Sequence, residues 1–144
     1  MGKKRIVKKS GGEVDAGRAE RSLSRTPKKK LDSGILHVRS TYNNTAATLT
    51  DMRGAVVAAS SSGALGFSGA KKGTPFAAAK VGEILSEKAQ QYGIKEISVV
   101  VKGVGSGRES TIRAFTSRGI QLLSIKDMTP VPHNGPRAPK PRRV

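Results

Sequence analysis

The spacing of apolar residues between Gly34 and Met128 restricts the fold more than any other feature of this chain. Apolar and polar residues alternate in two short segments, residues 36–39 and 47–50, and such alternation predicts half-buried strands. A third strand is expected at Val56 and Val57, after a turn. A helical period, a β-branched run, a second helical segment and a final apolar segment follow. The resulting order, β-β-β-α-β-α-β, predicts one α/β domain of 95 residues with a mixed five-stranded sheet.

Turn signals separate the first three strands. Asn tolerates a positive φ, so Asn43 and Asn44 predict a tight hairpin turn between the first two strands. Asp51 and Gly54 occupy the first and fourth positions of a second turn. The three strands are therefore expected to form a meander, and the small residues from Ser60 to Gly73 predict a loop after it.

Two helices are predicted after this loop. Thr74 and Pro75 provide an N-cap and a proline at the first helical position, and Gly93 provides the stop. The apolar face of this helix consists of Ala78, Val81, Leu85, Ala89 and Tyr92. The second helix is expected from Gly107 to Arg118, closed by Gly119.

The later strands and the aromatic residues complete the expected core. Residues 94–101 are almost continuously β-branched, which predicts a central strand covered on both faces. Residues 122–125 predict the last strand. We expect Phe76, Tyr92 and Phe115 in the core, while the place of Phe67 in its loop stays open.

The charge of the chain is large and unevenly distributed. It has 27 Lys and Arg against 10 Asp and Glu, a formal net charge of +17. Residues 1–33 contain 11 basic and 4 acidic side chains, and residues 129–144 contain 4 basic side chains and five of the seven prolines. We expect a basic, disordered arm (1–33), a folded domain (34–128) and an extended tail (129–144). Such a charge calls for an acidic, extended partner, and nucleic acid is the first candidate.

Several classes of protein are disfavoured by the sequence. No run of about 18 apolar residues is present, so no membrane span is expected. The basic start is not followed by the apolar segment of a signal peptide, so a cytoplasmic protein is expected. The absence of cysteine excludes disulfides, thiolate catalysis and Cys-ligated zinc.

The segment from Lys102 to Arg108 joins a predicted strand to a predicted helix and has three glycines at alternate positions. Glycine N–H groups and a helix dipole can hold a phosphate, but this spacing matches neither the dinucleotide fingerprint nor the P-loop. Ser106 and Glu109 also fit a capping box. The loop is either a structural turn that touches a backbone phosphate or a nucleotide site. We favour the turn and expect no cofactor.

The acidic residues and histidines do not suggest catalysis. A sheet of the predicted order resembles that of ribonuclease H-type enzymes, which hold metals with several carboxylates. Asp51 lies in a turn, Glu83 and Glu87 on the solvent face of a helix and Glu109 in a cap, and no Asp occurs at a predicted strand centre. The domain's six carboxylates are Asp51, Glu83, Glu87, Glu96, Glu109 and Asp127. His37 and His133 have no predicted triad or metal partner. We expect neither enzymatic activity nor a metal site.

The aromatic residues are few and show no clustered strand pattern of the kind that stacks single-stranded bases. Recognition of nucleic acid would therefore depend on phosphates and on the shape of the RNA.

Five segments carry a family likeness: Tyr42–Thr45, Thr48–Asp51, Gly73–Ala78, Gly103–Ser110 and Thr129–Gly135. Together they resemble the small-subunit ribosomal protein eleven family in its bacterial form, over Gly34 to Val144. The resemblance implies a non-enzymatic ribosomal protein of ribonuclease H-like fold on the platform of the small subunit. It implies binding to several helices of 16S rRNA, beside ribosomal proteins seven and eighteen and the cleft of the mRNA Shine-Dalgarno duplex. Initiation factor three is a further candidate partner.

The resemblance implies RNA contacts at the first hairpin turn, before the first helix, in the glycine loop and in the tail. The residues concerned are Asn43, Asn44, Lys71, Lys72, Lys102, Gly103, Gly105, Ser106, Gly107, Arg108, His133, Asn134, Gly135, Arg137, Lys140, Arg142 and Arg143. Pro136 and Ala138-Pro139 replace the Cys and the Pro-Pro common in the family, so the local path of the tail stays open. The first 33 residues are longer than the usual bacterial arm and match it only in being basic.

Three other functions share part of this pattern. A nuclease of the same fold would show metal-dependent cleavage of RNA. A DNA-compacting protein would prefer duplex DNA over folded rRNA, and a nucleotide-binding enzyme would bind ATP or NAD saturably at the glycine loop.

Overall fold

The described part of the chain, residues 30–142 of a computed structural model, contains five strands and two α-helices. In chain order they are β1 (Ser33–Ser40), β2 (Thr45–Thr50), β3 (Val56–Ser61), α1 (Pro75–Tyr92), β4 (Glu96–Lys102), α2 (Gly107–Thr116) and β5 (Gln121–Asp127). This order confirms the predicted succession of elements. A 3-10 helix (Gly69–Gly73) precedes α1, and β3 extends to Ser61, so the segment predicted as a loop is only partly one.

The strands form a single mixed sheet in the order β3-β2-β1-β4-β5. The meander of β1, β2 and β3 is antiparallel, whereas β4 pairs with β1 in parallel and β5 pairs with β4 in parallel. Parallel strands need long connections, and α1 and α2 supply them. The predicted mixed five-stranded sheet is therefore confirmed.

The core lies between the sheet and the two helices, which share one face of it. Alternate side chains of β1 and β4 point into this core, among them Leu36 and Val99. Val81 and Leu85 of α1 and Phe115 of α2 meet them there, and all three are fully buried. One face of the sheet is therefore closed by helices, and burial alternates along the strands as the pleat requires.

The prediction that β4 would be covered on both faces is wrong. Ile97, Val99 and Val101 are buried, but Ser98 and Val100 between them are only half-buried. A β-branched run favours any strand, because such side chains fit the pleated backbone, and does not by itself report burial on two faces.

The ends of α1 follow the sequence closely. Thr74 Oγ1 accepts a hydrogen bond from the Ala77 N–H at 3.3 Å, and Gly93 adopts a left-handed conformation with φ of 78°. The predicted cap and stop are both confirmed. Helix α2 ends at Thr116, two residues earlier than predicted, and Gly119 follows after a short turn.

The first hairpin turn does not use positive φ at asparagine. Among the described residues, Asn134 in the tail is the only non-glycine residue with a positive φ. The turn spans Thr41 to Asn44 and is closed by the Thr41 N–H, which donates to the Asn44 carbonyl at 2.8 Å. The Thr41 hydroxyl also donates to that carbonyl and accepts from the Asn44 N–H, both at 3.1 Å. A threonine side chain thus closes this turn.

The burial of the aromatic residues agrees with the prediction only in part. Phe115 is fully buried as expected, and Tyr92 is half-buried with its hydroxyl donating to the Val57 carbonyl at 3.3 Å. Phe67 is buried in the core, which answers the question that the sequence left open. Phe76 is 57% exposed, contrary to the prediction, and its ring forms a T-shaped pair with that of Phe67, with 6.1 Å between centroids.

Ordered contacts extend slightly beyond the predicted domain. The Leu31 N–H donates to the Tyr92 carbonyl, and the Asp32 carbonyl accepts from Lys95 and Glu96, so the fold begins before Gly34. The rest of the predicted arm, residues 1–29, lies outside the described residues, as do residues 143–144. Within residues 30–142, no helix is long and apolar enough to cross a membrane.

Replacing Val99 by Asp should unfold the domain or lower its free energy of unfolding by about 3–5 kcal/mol, because an unpaired carboxylate would be buried. Val99 is 1% exposed, whereas its neighbour Val100 points to the uncovered face. Val100→Asp is therefore the matched control and should lower the free energy of unfolding clearly less than Val99→Asp does. Urea unfolding followed by circular dichroism measures both, and equal stability of the two variants would contradict the assigned faces of β4.

Candidate nucleic-acid interface

Four strands of the sheet (β1, β3, β4 and β5) end, and both helices begin, at one edge, which we call the loop edge. The strands β1, β4 and β5 are parallel, so their carboxyl ends lie together, and a crossover helix begins close to the strand end that precedes it. The predicted RNA-binding segments of the domain are the hairpin turn, Lys71 and Lys72, and the glycine loop from Gly103 to Gly107. The fold brings all three to this edge, although they are far apart in sequence.

Direct contacts show that these segments form one surface. The Gly105 N–H donates to the Ser40 carbonyl at the end of β1 at 3.0 Å. Ser106 Oγ donates to the Gly73 carbonyl, just before α1, at 2.9 Å. The backbone of Gly73 in turn lies against the Tyr42 carbonyl of the hairpin turn. The glycine loop, the hairpin turn and the start of α1 are therefore held in fixed relative positions.

The glycines of the loop are required by this close packing. A Cβ atom on Gly103 would overlap the Ser40 carbonyl oxygen, and one on Gly105 would overlap the Thr41 carbonyl oxygen and Ser40 Oγ. The N–H groups of Gly103 and Gly105 donate to Thr129 Oγ1 and to the Ser40 carbonyl. These two groups are therefore occupied inside the protein, which supports the structural-turn interpretation of the loop over a phosphate cradle.

The predicted capping box at Ser106 and Glu109 is wrong. Ser106 has helical dihedral angles, φ −68° and ψ −13°, and makes no side-chain cap hydrogen bond. Its hydroxyl instead reaches Gly73, a contact that only the tertiary structure provides. Glu109 is exposed in the first turn of α2, where a carboxylate interacts favourably with the helix dipole.

Arg108 is bound within the protein, in a group of side chains that we call the clasp: Arg108, Asp127 and Thr129. One guanidinium nitrogen donates to the Gly103 carbonyl at 2.7 Å, and another donates to Asp127 Oδ2 at 2.5 Å. Asp127 Oδ1 accepts from the Thr129 N–H at 2.9 Å and from its hydroxyl at 2.6 Å. The clasp thus fixes the first residue of the tail beside the glycine loop.

The clasp also explains the acidity of Asp127. The Thr129 hydroxyl, the Thr129 N–H and the Arg108 guanidinium together lower the pKa of Asp127 to about 2, because all three stabilise the carboxylate. Sequence reasoning missed this role. The signal that could have found it is the Asp-x-Thr spacing, since Asp side chains often accept a backbone N–H two residues on.

The hairpin turn exposes groups that can contact RNA. Tyr42 is 79% exposed and Asn43 is also exposed, while Asn44 is half-buried with an Oδ1 atom that has no hydrogen-bond partner among the described residues. Phe76, in the first turn of α1, is exposed at the same edge and lies 5.8 Å from Lys80 Nζ. Tyr42 and Phe76 are thus available for stacking, although the sequence predicted no aromatic readers.

The charges at the loop edge are predominantly positive. Lys71 and Lys102 are exposed, and Lys72 is half-exposed beside Gly63. Acidic residues other than Asp127 and Glu109 lie elsewhere in the described chain: Asp32, Asp51 and Glu96 at the opposite edge, and Glu83 and Glu87 along α1. The amino ends of α1 and α2 add the positive ends of their dipoles. The potential at the loop edge therefore favours an anion.

The tail continues from the clasp as an exposed, extended segment. Its predicted RNA-binding residues within the described range are all exposed: His133, Asn134, Gly135, Arg137, Lys140 and Arg142. Asn134, with φ of 54°, introduces a bend. Arg143 lies outside the described residues. The structure thus leaves the side chains of 130–142 accessible to a partner.

No group of three or more His, Asp or Glu side chains that could hold a metal occurs within residues 30–142. His37 lies on the uncovered face of the sheet, 3.3 Å from Thr50 Oγ1, and His133 lies in the tail. The two histidines therefore lie in different parts of the structure, and neither belongs to a cluster of carboxylates.

Replacing Gly105 by Ala should lower the free energy of unfolding by about 1–3 kcal/mol, the usual cost of overpacking, because the new methyl group meets backbone. Gly63→Ala is the matched control, since its Cβ would contact only the flexible Lys72 side chain at 3.7 Å. Thermal unfolding of the two variants measures the difference. A Gly105→Ala protein as stable as Gly63→Ala would show that the loop is not held against β1.

The clasp should survive mild acid. A lowered folded-state pKa means that Asp127 stabilises the fold at pH values above its ordinary pKa of 3.8, and that this contribution is lost as the pH falls toward about 2. An NMR titration of the Thr129 amide should give a midpoint well below 3.8. Thr129→Ala should move the Asp127 midpoint upward, and an unperturbed midpoint in the folded wild-type protein would contradict the clasp.

The sequence was compared with known protein families, and one family matches most of it. The family described as Ribosomal protein S11 matches residues 34–143. This range includes every segment of the loop edge and nearly the whole tail, and it covers most of the 144 residues. Members of this family are structural proteins of the small ribosomal subunit that bind rRNA, and the family is not known as an enzyme family. The chain therefore belongs to the ribosomal protein S11 family.

Proposed function

We propose that this protein holds several helices of 16S rRNA together on the platform of the small ribosomal subunit, through its loop edge and its basic ends. One observation carries the proposal: the hairpin turn, the lysines before α1, the glycine loop and the start of the tail meet at one positively charged edge. Because these segments are locked to one another, the edge can hold RNA in a fixed geometry.

The binding mechanism is electrostatic and needs no bond to be made or broken. Exposed Lys102, with Lys71 and Lys72, displaces condensed counterions from the phosphates. Asn43 and Asn44 offer amide groups beside these cations, and Ser106 a hydroxyl. Arg108, although bound in the clasp, is partly exposed, with 32% of its side chain accessible, so it contributes to the potential while positioning the tail.

The tail supplies a second set of contacts, from His133, Asn134, Gly135, Arg137, Lys140, Arg142 and Arg143. Five prolines reduce the conformational freedom of this segment before binding. Residues 1–29, rich in Lys and Arg, supply a second basic arm that binds RNA. The clasp supports this division, because it fixes where the tail leaves the domain.

The finer assignments rest on the family and on surface chemistry. The strand order is consistent with a ribonuclease H-like fold that has been adapted to a structural task in the cytoplasmic ribosome. Ribosomal proteins seven and eighteen are the proposed neighbours. The exposed apolar side chains of β5, Leu123 and Ile125 among them, favour protein contacts at that end of the sheet. The Shine-Dalgarno cleft and initiation factor three would then lie nearby.

Other functions make different predictions. A nuclease would cleave RNA in the presence of Mg²⁺ or Mn²⁺, and a DNA-compacting protein would prefer duplex DNA over folded rRNA at moderate salt. A nucleotide-binding enzyme would bind ATP or NAD saturably, but the internal hydrogen bonds of Gly103 and Gly105 disfavour it. Sedimentation of a tagged copy with small subunits from cell extract separates the ribosomal function from all three.

Affinity for a 16S rRNA fragment should fall steeply with salt. Engaging 6 to 10 phosphates predicts a loss of roughly 10³ to 10⁵ in the association constant between 50 and 200 mM salt. A variant lacking residues 130–144, which retains the clasp, should fold normally and show a shallower dependence, since it has lost four cations. Filter binding across a salt series measures both, and a shallow dependence in the full chain would contradict the proposal.

Replacing Tyr42 by Ala should weaken rRNA binding by about 1–3 kcal/mol if its ring stacks on a base, with little change in thermal stability. Tyr42→Phe is the matched control and should retain most of the affinity, because stacking needs the ring and not the hydroxyl. Equal affinity of the Ala variant and the wild type would show that the Tyr42 side chain does not contribute to rRNA binding.

A further inference from the structure

The face of the sheet opposite the helices is uncovered in the described part of the chain, and we call it the open face. Side chains on it alternate with the buried ones of β1, β2 and β4 and are half-buried or exposed. A shallow depression of about 320 Å³ lies on it, lined chiefly by His37, Arg39, Ala46, Thr48, Val100 and Lys102. This uncovered face needs an explanation, because parallel strands such as β1, β4 and β5 usually lie in sheets that are covered on both faces.

Like charges stand side by side on the open face. Arg39 of β1 and Lys102 of β4 are register partners on adjacent parallel strands, and both are exposed. Lys126 of β5 pairs with Val100 and so lies on the next strand of the same face. Like charges at neighbouring positions of a sheet destabilise it unless an anion lies between them.

The cations of the open face differ from three cations elsewhere in the domain that are paired with carboxylates. Lys80, Arg108 and Arg118 each form an ion pair with a carboxylate. Within residues 30–142, no such pair is formed by Arg39 or Lys126. Arg39 and Lys126 thus carry positive charge that no carboxylate of the described chain neutralises.

The shape of the face is suited to a long anion. Ala46 and Thr48 are small, so a partner can approach the plane of the strands closely, with the Thr48 hydroxyl as a hydrogen-bond donor. The cations span β1, β4 and β5, about 10 Å at the usual strand spacing, which exceeds the size of one phosphate group. Lys102 belongs to both this face and the loop edge, so the two surfaces are continuous.

We propose that the open face is a second rRNA-docking surface, which binds the phosphate backbone of an rRNA helix through Arg39, Lys102 and Lys126. This inference rests on the proposed function and extends it from the loop edge to a whole face of the sheet. The arm preceding Lys30 is a poor alternative occupant, because its excess of positive charge would be repelled there.

Neutralising the face tests the proposal. Arg39→Gln combined with Lys126→Gln should make the slope of log K against log salt shallower by about 1.8, the effect of two lost phosphate contacts. Arg53→Gln combined with Lys95→Gln is the matched control, because these exposed cations lie at the opposite edge and the net charge changes equally. The control should keep the wild-type slope, and thermal melting should show all three proteins folded.

Placement of RNA can be tested directly, because the chain has no cysteine. A Thr48→Cys variant carrying a tethered iron chelate should cleave rRNA by hydroxyl radicals within the complex. Its cleavage sites should differ from those produced from Asn43→Cys at the loop edge, whereas Gln91→Cys on α1 should produce neither set.

The outcomes separate the two proposals. If the wild type binds with a steep salt slope but the open-face variant behaves like its control and position 48 cleaves nothing, the second docking surface is wrong and the proposed function stands. Protection of the Thr48→Cys thiol from alkylation in small subunits, without RNA cleavage, would also overturn it, in favour of a protein cover. If the wild type itself fails to bind rRNA, both proposals fail.

Discussion

The parallel pairing of β1 with β4 is the constraint on which the interface depends. It places the end of β1 beside the start of the glycine loop, so that the Gly105 N–H meets the Ser40 carbonyl at 3.0 Å. Both crossover helices then begin at the same edge, and the tail leaves from it through the clasp. A sheet with antiparallel pairing at this position would send the hairpin turn and the glycine loop to opposite edges.

Charge is distributed to match this architecture. Two ion pairs join cations and carboxylates on the helical side, a third lies in the clasp, and the opposite edge carries Asp32, Asp51 and Glu96. Most of the other cations of the described chain lie at the loop edge, in the tail and on the open face. A scaffold whose exposed cations are concentrated on particular surfaces can bind a polyanion in a defined orientation.

Much of the fold was predictable because local sequence patterns specify its strands and its first helix. The alternation in β1 and β2, and the Thr74 cap and Gly93 stop of α1, depend on neighbours a few residues apart, and each was confirmed. The capping box at Ser106, the burial of Phe76 and the two-sided cover of β4 were wrong for one shared reason. Each depends on segments that are distant in sequence. The Ser106 hydroxyl donates to the Gly73 carbonyl instead of capping its own helix, and both helices pack on the same face of the sheet.

The sequence by itself determined the class of domain, its family likeness and the polyanionic nature of its partner, because composition, periodicity and motif spacing are properties of the chain. Only the tertiary structure decided that the glycines serve close backbone packing, that Arg108 is held by Asp127, and that Tyr42 is exposed beside the lysines. These facts depend on which surfaces meet in space. Contacts between residues 40 and 105, or 108 and 127, produce no periodic pattern in the sequence. They can therefore be identified only from the assembled sheet.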